Sequence, residues 1–362
     1  MVMIGTVITS FIATGIKNGF DALEVVAFPS GNVLYVGGSG PNNYTKIQNA
    51  IDNASNRDTI KVYPGVYDGP IIINKEMKLV GDPIIDGHGV YGIKIEANNT
   101  LVENFTIFNC SSGIYIHNIS FIIKNVTIKN CIIYNCTNGI CSYSSNNNTI
   151  ASNNIYNNSQ YGIELIYSYN NTLVNNTITS NKKQGIYLSH ANNNTLINNT
   201  ILNNIYAILI MSLSSNNTLI NNVASSSISY GIAMVGRSNY NRVLRNIVEN
   251  NGNHGIYLET SDYNLIGENT FNSNNGSGIY FFGSDNNTIA NNTITSNNND
   301  GIHLSYSNNN LIHNNYFNNT INAWDNGNNT WNISKTAGKN IVGGDYLGGN
   351  YWHDYAGGFR CK

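Results

Sequence analysis

The sequence predicts an all-β fold, a single-stranded parallel β-helix of roughly 22–24 residues per coil, and two observations carry that prediction. The first is a period. A Gly-Ile marker recurs at Gly139-Ile140, Gly162-Ile163, Gly185-Ile186, Gly231-Ile232, Gly255-Ile256, Gly278-Ile279 and Gly301-Ile302, with Ala207-Ile208 standing in once. The second is the pattern within one period. Ile186 and Leu188 alternate with Tyr187 and Ser189, Leu196 stands isolated among Asn and Thr, and Ile201 begins another short run. That makes about three strands of two to five residues per coil. Asn, Ser, Thr, Ile and Tyr dominate and helix formers are scarce, which suits strands and turns. Leucine-rich repeats share a period in this range, but the helical or extended convex segment they need is not visible.

Asn columns punctuate the period. Asn194, Asn217, Asn241, Asn287 and Asn310 fall near one place in successive coils. Asn tolerates the left-handed conformation that a sharp bend needs, and stacked amides can hydrogen-bond along the axis. Ile, Leu and Val should form interior columns, because no coil can bury its apolar face alone.

Charged residues are only 10% of the 362, and the net charge is −2, so there is no basic footprint for nucleic acid. The 41% hydrophobic content and strict period exclude a disordered polar tract. The five cysteines do not form a disulfide scaffold. Cys110 and Cys136 each precede a Gly-Ile marker by three residues, which predicts stacking in adjacent coils, either as a bridge or as a column of buried thiols. Cys131 and Cys141 match no zinc spacing.

In chain order, residues 1–30 read as an atypical hydrophobic leader or an N-terminal cap. Met1 to Ile16 is uncharged and apolar, and Lys17 follows it where a secretory signal would place its basic residues first. Residues 31–90 read as the cap and first coils: strands at Val33–Val36, Thr59–Tyr63, Ile71–Ile73 and Lys78–Gly81, and an amphipathic helix from Tyr44 to Asn56 with Ile47, Ala50, Ile51 and Ala54 on one face. An open β-helix end exposes a sheet edge and an apolar core, so the short helix serves as the cap. Residues 91–321 are the repeats, with no membrane span among them, and 322–362 the C-terminal cap.

Tyr44-Thr-Lys-Ile-Gln-Asn-Ala-Ile-Asp52, Asp58-Thr-Ile-Lys-Val-Tyr-Pro-Gly-Val-Tyr67, Leu79-Val-Gly81 and Ile85-Asp-Gly87 resemble the opening of the right-handed parallel β-helix repeat family, which includes pectate-lyase-like, NosD-like and carbohydrate-associated surface proteins. Trp331-Asn-Ile-Ser-Lys-Thr336 and Leu347-Gly-Gly-Asn-Tyr-Trp-His-Asp-Tyr355 resemble the closing segment of NosD-like proteins of methanogenic archaea. The resemblance covers about residues 32–355. It implies a right-handed coil and an extracellular or cell-surface location. It does not fix an activity, because this fold hosts many. It also implies an association with copper, yet His117, His190, His254, His303, His313 and His353 are scattered and no His/Met/Cys cluster has ligand spacing, so no metal site is assigned.

The residue two after each marker glycine should face outward. That column reads Tyr115, Cys141, Glu164, Tyr187, Leu209, Ala233, Tyr257, Tyr280, His303. Tyr257, Tyr280 and His303 fall in consecutive coils, and with Tyr187 and Glu164 they form the candidate glycan-binding set, since aromatic faces stack on sugar rings. A ladder of rings that merely supports strand pairing gives the same column. Asp262 and Asp285, each seven residues past a marker, should also stack, with Glu259 in the coil of Asp262. A close carboxylate pair serves glycoside hydrolysis or holds Ca²⁺, and equally it is ordinary turn chemistry. Paired Asp, Gly-His-Gly and Arg-Ile-Lys, the pectinase signatures, do not occur as a set, although Asp86-Gly-His-Gly89 does in an early coil. Asn-x-Ser/Thr sequons such as Asn43, Asn98, Asn147, Asn170 and Asn175 read both as turn chemistry and as glycosylation acceptors.

These observations support three functions. The first is an exported, non-catalytic surface protein that can bind carbohydrate. The second is a polysaccharide lyase or glycoside hydrolase using Asp262, Asp285 and Glu259. The third is a self-associating structural array.

Overall fold

A computed structural model describes residues 31–354. The leader or cap reading of residues 1–30, and the end of the C-terminal segment including Tyr355 and Cys361, lie outside the described residues. Three parallel sheets of 13, 12 and 13 strands run the length of the described chain, and each coil adds one strand to each. One coil shows the unit. Gln184–Ser189 lies in the sheet that carries the Gly-Ile markers, Thr195–Ile197 in the second sheet and Thr200–Leu202 in the third.

The interior is a set of files. Ile140, Ile163, Ile186, Ile208, Ile232, Ile256, Ile279 and Ile302 pair coil to coil in one column, and all are fully buried. The marker glycine is set by close approach. A Cβ on Gly162 would sit 2.4 Å from Ile178 Cγ2, and one on Gly185 would sit 2.3 Å from Ile201 Cγ2, both in the third sheet. Alanine replaces the glycine at Ala207, and in that coil the third-sheet residue in register with Ile201 is Ala224. The extra methyl on one strand is matched by a smaller side chain on the other, as close packing requires.

The Asn columns are three, one at each corner, and they divide two jobs that the sequence reading had merged. The left-handed residue comes first: Asn170 (φ 57°), Asn175 (φ 56°) and Ser180 (φ 58°) in one coil. The residue after it points inward and is buried: Asn171, Asn176 and Asn181. In each corner the Oδ1 of one coil accepts two bonds from the coil before. Asn199 Oδ1 takes the N–H of Asn176 at 3.0 Å and its Nδ2 at 2.9 Å, while Asn199 Nδ2 donates to Leu173 O and Asn222 Oδ1. Such ladders satisfy the backbone at bends that no β pairing reaches. They begin at Asn148, Asn153 and Asn158 and end on Asn329, Asn350 and Asn322.

Helix α1 spans Ile47–Asn53, shorter than the expected Tyr44–Asn56. Tyr44 is instead held in extended backbone, where its N–H donates to Tyr35 O and its carbonyl accepts from Gly37 N. Ile47, Ala50 and Ile51 cover the end of the core. Gln48 caps the open edge of the marker sheet: Oε1 accepts the Ile72 N–H at 2.8 Å and Nε2 donates to the Ile72 carbonyl at 3.3 Å, as a neighbouring strand would. Lys75 Nζ donates to three carbonyls at the helix C-terminus, those of Ile51, Asp52 and Ala54. At the other end Tyr351–Trp352 extends the third sheet, with Trp352 stacked on Phe317 at 4.6 Å.

The four described cysteines are free thiols and buried. Cys110 and Cys136 occupy equivalent places in adjacent coils, as their spacing predicted, and hydrogen bonding between them together with burial raises the Cys110 thiol far above its ordinary value.

Candidate functional site

The outward column of the marker sheet falls where the sequence places it. Tyr115, Cys141, Glu164, Tyr187, Leu209, Ala233, Tyr257, Tyr280 and His303 pair in order through nine coils, and Trp324 follows His303. A second outward column, one residue before the marker, was not singled out from sequence. It contributes Tyr161, Tyr206, Tyr230, His254 and Asp300. Its signal was available, because each of these residues directly precedes a marker.

The two columns interleave into one file of rings. Tyr206 meets Tyr230 at 5.0 Å, and Tyr230 stacks on Tyr257 at 4.8 Å. His254 lies on Tyr280 at 4.5 Å, Tyr280 on His303 at 4.6 Å and His303 on Trp324 at 4.1 Å. The planes of the last three contacts are within 21° of parallel. The rings therefore lie across the solenoid axis, with their faces against one another and their edges toward solvent. This changes the chemistry expected of the column. Face-on sugar stacking is blocked along the file; the two end rings, Tyr206 and Trp324, each lie against one ring among the described residues, and Trp324, at the end of its sheet, is 40% exposed. What the file offers elsewhere is a row of polar tips.

Those tips are held in defined states. His254 Nδ1 accepts the Ser277 N–H at 2.9 Å, which leaves its proton on Nε2. Burial, then the nearby His303, pushes His254 down to about 4, so it is neutral at neutral pH. His303 Nδ1 donates to Asp300 Oδ2 at 2.7 Å. The Tyr257 hydroxyl donates to Glu259 Oε2 at 3.3 Å, and burial followed by the Glu259 charge raises its pKa, so it remains a phenol. Burial also raises Tyr230.

The earlier coils differ. Glu164 accepts Asn138 Nδ2 at 3.1 Å and the Cys141 thiol at 3.3 Å, and burial raises its pKa. Tyr187 stacks on Tyr161 at 4.9 Å, beneath Lys183. These residues lie coils away from His303, so the five expected binding residues form two groups on one face.

Asp262 and Asp285 stack in adjacent coils, and each bridges to the next. Asp262 Oδ1 accepts the Asp285 N–H at 2.7 Å, and Asp285 Oδ1 accepts the Asn308 N–H at 2.6 Å. Asn239 Oδ1 does the same for the Asp262 N–H. The carboxylates thus act as rungs in a column where Asn serves equally well. Glu259 points instead to Tyr257 on the marker face.

Residues 71–224 match the family described as right handed beta helix region, and residues 213–357 match NosD, described as periplasmic copper-binding protein. The chain is a right-handed parallel β-helix repeat protein. It is similar to the A-module of the Azotobacter vinelandii mannuronan C-5 epimerase AlgE6, at 17% identity and a TM-score of 0.74 over 78% of this chain and 92% of that one. The AlgE4 A-module of the same organism gives 0.66 at 17% over the same shares. The enzymatically active domain of tailspike protein 2 from bacteriophage CBA120 gives 0.56 at 14%, over 74% of this chain and 48% of that one. At these identities the likeness is one of fold. No curated protein matches the chain.

The described residues show no arrangement that fits copper. Among the described residues no group of three His, Cys, Asp or Glu side chains is placed to hold a metal ion, His254 and His303 already use Nδ1, and burial keeps the Cys131 and Cys141 thiols protonated. At Asp262 and Asp285 one oxygen of each carboxylate already accepts a backbone N–H, and neither belongs to such a group of three among the described residues. No helix among the described residues is long and apolar enough to cross a membrane.

Proposed function

We propose that this protein acts outside the cytoplasm, exported or on the cell surface, and binds a glycan along the marker face without cleaving it. The observation that carries the reading is the ring file from Tyr206 to Trp324, whose polar tips recur once per coil, about every 4.8 Å, and which ends on the 40% exposed Trp324. Proteins of similar fold are named for acting on polysaccharides, and the NosD family is described as periplasmic; both agree with the proposal. The test is retention of the full chain on immobilised polysaccharides, with product analysis by size exclusion. Binding should fall at least tenfold in Tyr280→Ala and Trp324→Ala, with polymer length unchanged. Saturable shortening of the polymer would remove the non-catalytic part.

A second reading, catalysis, has one observation in its favour. Asp300 fixes the His303 imidazole by its Nδ1 proton and leaves Nε2 as a base, the arrangement of an oriented general base. It competes with the alternative that Asp262, Asp285 and Glu259 form a lyase or hydrolase site. Activity that survives Asp262→Asn with Asp285→Asn but is lost in His303→Gln assigns it to the dyad.

A further inference from the structure

We infer that the marker face from Tyr206 to Trp324 takes an uncharged glycan and rejects polyuronates. This rests on the glycan-binding reading above and sets the class of ligand.

The outward positions of these coils are Tyr206, Tyr230, His254, Ser277 and Asp300 in the first column, and Leu209, Ala233, Tyr257, Tyr280, His303 and Trp324 in the second. Met211, Val235, Glu259, Phe282 and Ser305 form the third. None of these positions is Lys or Arg; the exposed Arg237, in the turn after Val235, stands at the margin of the face. The carboxylates are Glu259 and Asp300, and each holds a neighbour on the face. His254 stays neutral because burial suppresses its charge, and the one imidazole next to an acid is paired with it. The face therefore presents phenol hydroxyls, imidazole nitrogens and an indole, and the formal negative charge among these positions is that of Glu259 and Asp300.

A polyuronate carries a carboxylate on every sugar. Binding it along this face would bring those charges against Glu259 and Asp300 with no cation among these positions to offset them, and like charges at this range repel. Epimerisation or elimination of a polyuronate removes the proton beside the carboxylate, and the charge that builds there is stabilised by a cation or strong donors held at that carboxylate. These positions supply no such cation. Sugar hydroxyls and acetamido groups ask only for hydrogen-bond partners, which the ring edges provide once per coil. The earlier coils of the same face are different, for Lys94 and Lys183 stand there, Lys94 paired with Glu96.

The experiment uses the full chain in affinity gels containing a neutral β-glucan, a mannan, chitin oligosaccharides, alginate or polygalacturonate, at low and physiological salt. The expected result is retardation by at least one neutral polymer, insensitive to salt, and none by the two polyuronates. Glu259→Lys should weaken exclusion and give measurable, salt-sensitive retardation by alginate. Retardation by alginate or polygalacturonate stronger than by any neutral polymer overturns the inference and leaves glycan binding standing. No retardation by any polymer removes the glycan-binding reading itself.

Discussion

The two ends of the solenoid close their corners in different ways. Up to Cys136 the inward corner residues are Thr100, Phe105, Cys110, Val126, Cys131 and Cys136, all buried. From Asn148 onward the same places hold Asn, Ser227 excepted, and amides bond from coil to coil. The register is continuous across the change, because the first Asn of each ladder accepts the N–H of Val126, Cys131 or Cys136 at 2.9–3.0 Å. One backbone thus accommodates two solutions, apolar filling and amide ladders. Only the second adds buried amide–amide hydrogen bonds at the corners to the backbone pairing that joins all coils. It also shows its failures. Asn148 Nδ2, at the start of one ladder, and Ser227 Oγ, where serine interrupts another, are buried without partners.

The largest effect should come from breaking a ladder where it is continuous. Asn199→Ala leaves the Asn176 N–H, the Leu173 carbonyl and two amides short of partners, and should cost about 3–5 kcal/mol. Cys131→Ala, at the same corner three coils earlier, removes one buried sulfur and should cost about 1–2 kcal/mol. Urea denaturation of both variants gives the contrast, and equal costs would dissolve the distinction between the two halves.

Acid should act through the ladder half. His254 is lowered from 6.5 to about 4, so between those values the unfolded chain binds the proton and the folded chain does not. Its contribution is full above pH 6.5 and is lost as pH falls toward 4, up to about 3 kcal/mol. His254→Gln should flatten this part of the stability profile, read as the melting temperature at pH 7, 5.5 and 4.5. An unchanged slope would place the acid sensitivity elsewhere.

Ala224→Ile restores the usual third-sheet residue beside Ala207, where the Cβ now fills the space. Overpacking should cost about 1–3 kcal/mol, and Ala207→Gly should recover most of it. The smallest effect should be a gain. Ser227→Asn supplies the missing rung to Asn204 and Asn251 and should stabilise by about 1 kcal/mol. A loss on thermal melting would show that the serine is fitted to its coil.

Much of the site was legible in the sequence, because period 2 within the strand and period 23 along the chain together fix a residue's column. Tyr257, Tyr280 and His303 are neighbours for that reason. The stacking of Asp262 and Asp285 was equally legible, whereas their bonds to backbone amides were not, since the spacing that stacks two side chains is blind to which atoms they reach. Trp324 was missed because the last coil is short and has Asn322-Ala323 in place of the marker.

The sequence by itself determined the period, the three-strand coil, the interior isoleucine files and which residues share a face, since each depends only on spacing. The tertiary structure alone decided the split between left-handed and laddered Asn, the edge-on attitude of the rings and the neutral state of His254. Those depend on side-chain direction and on burial by neighbours one coil away, and a linear pattern carries neither.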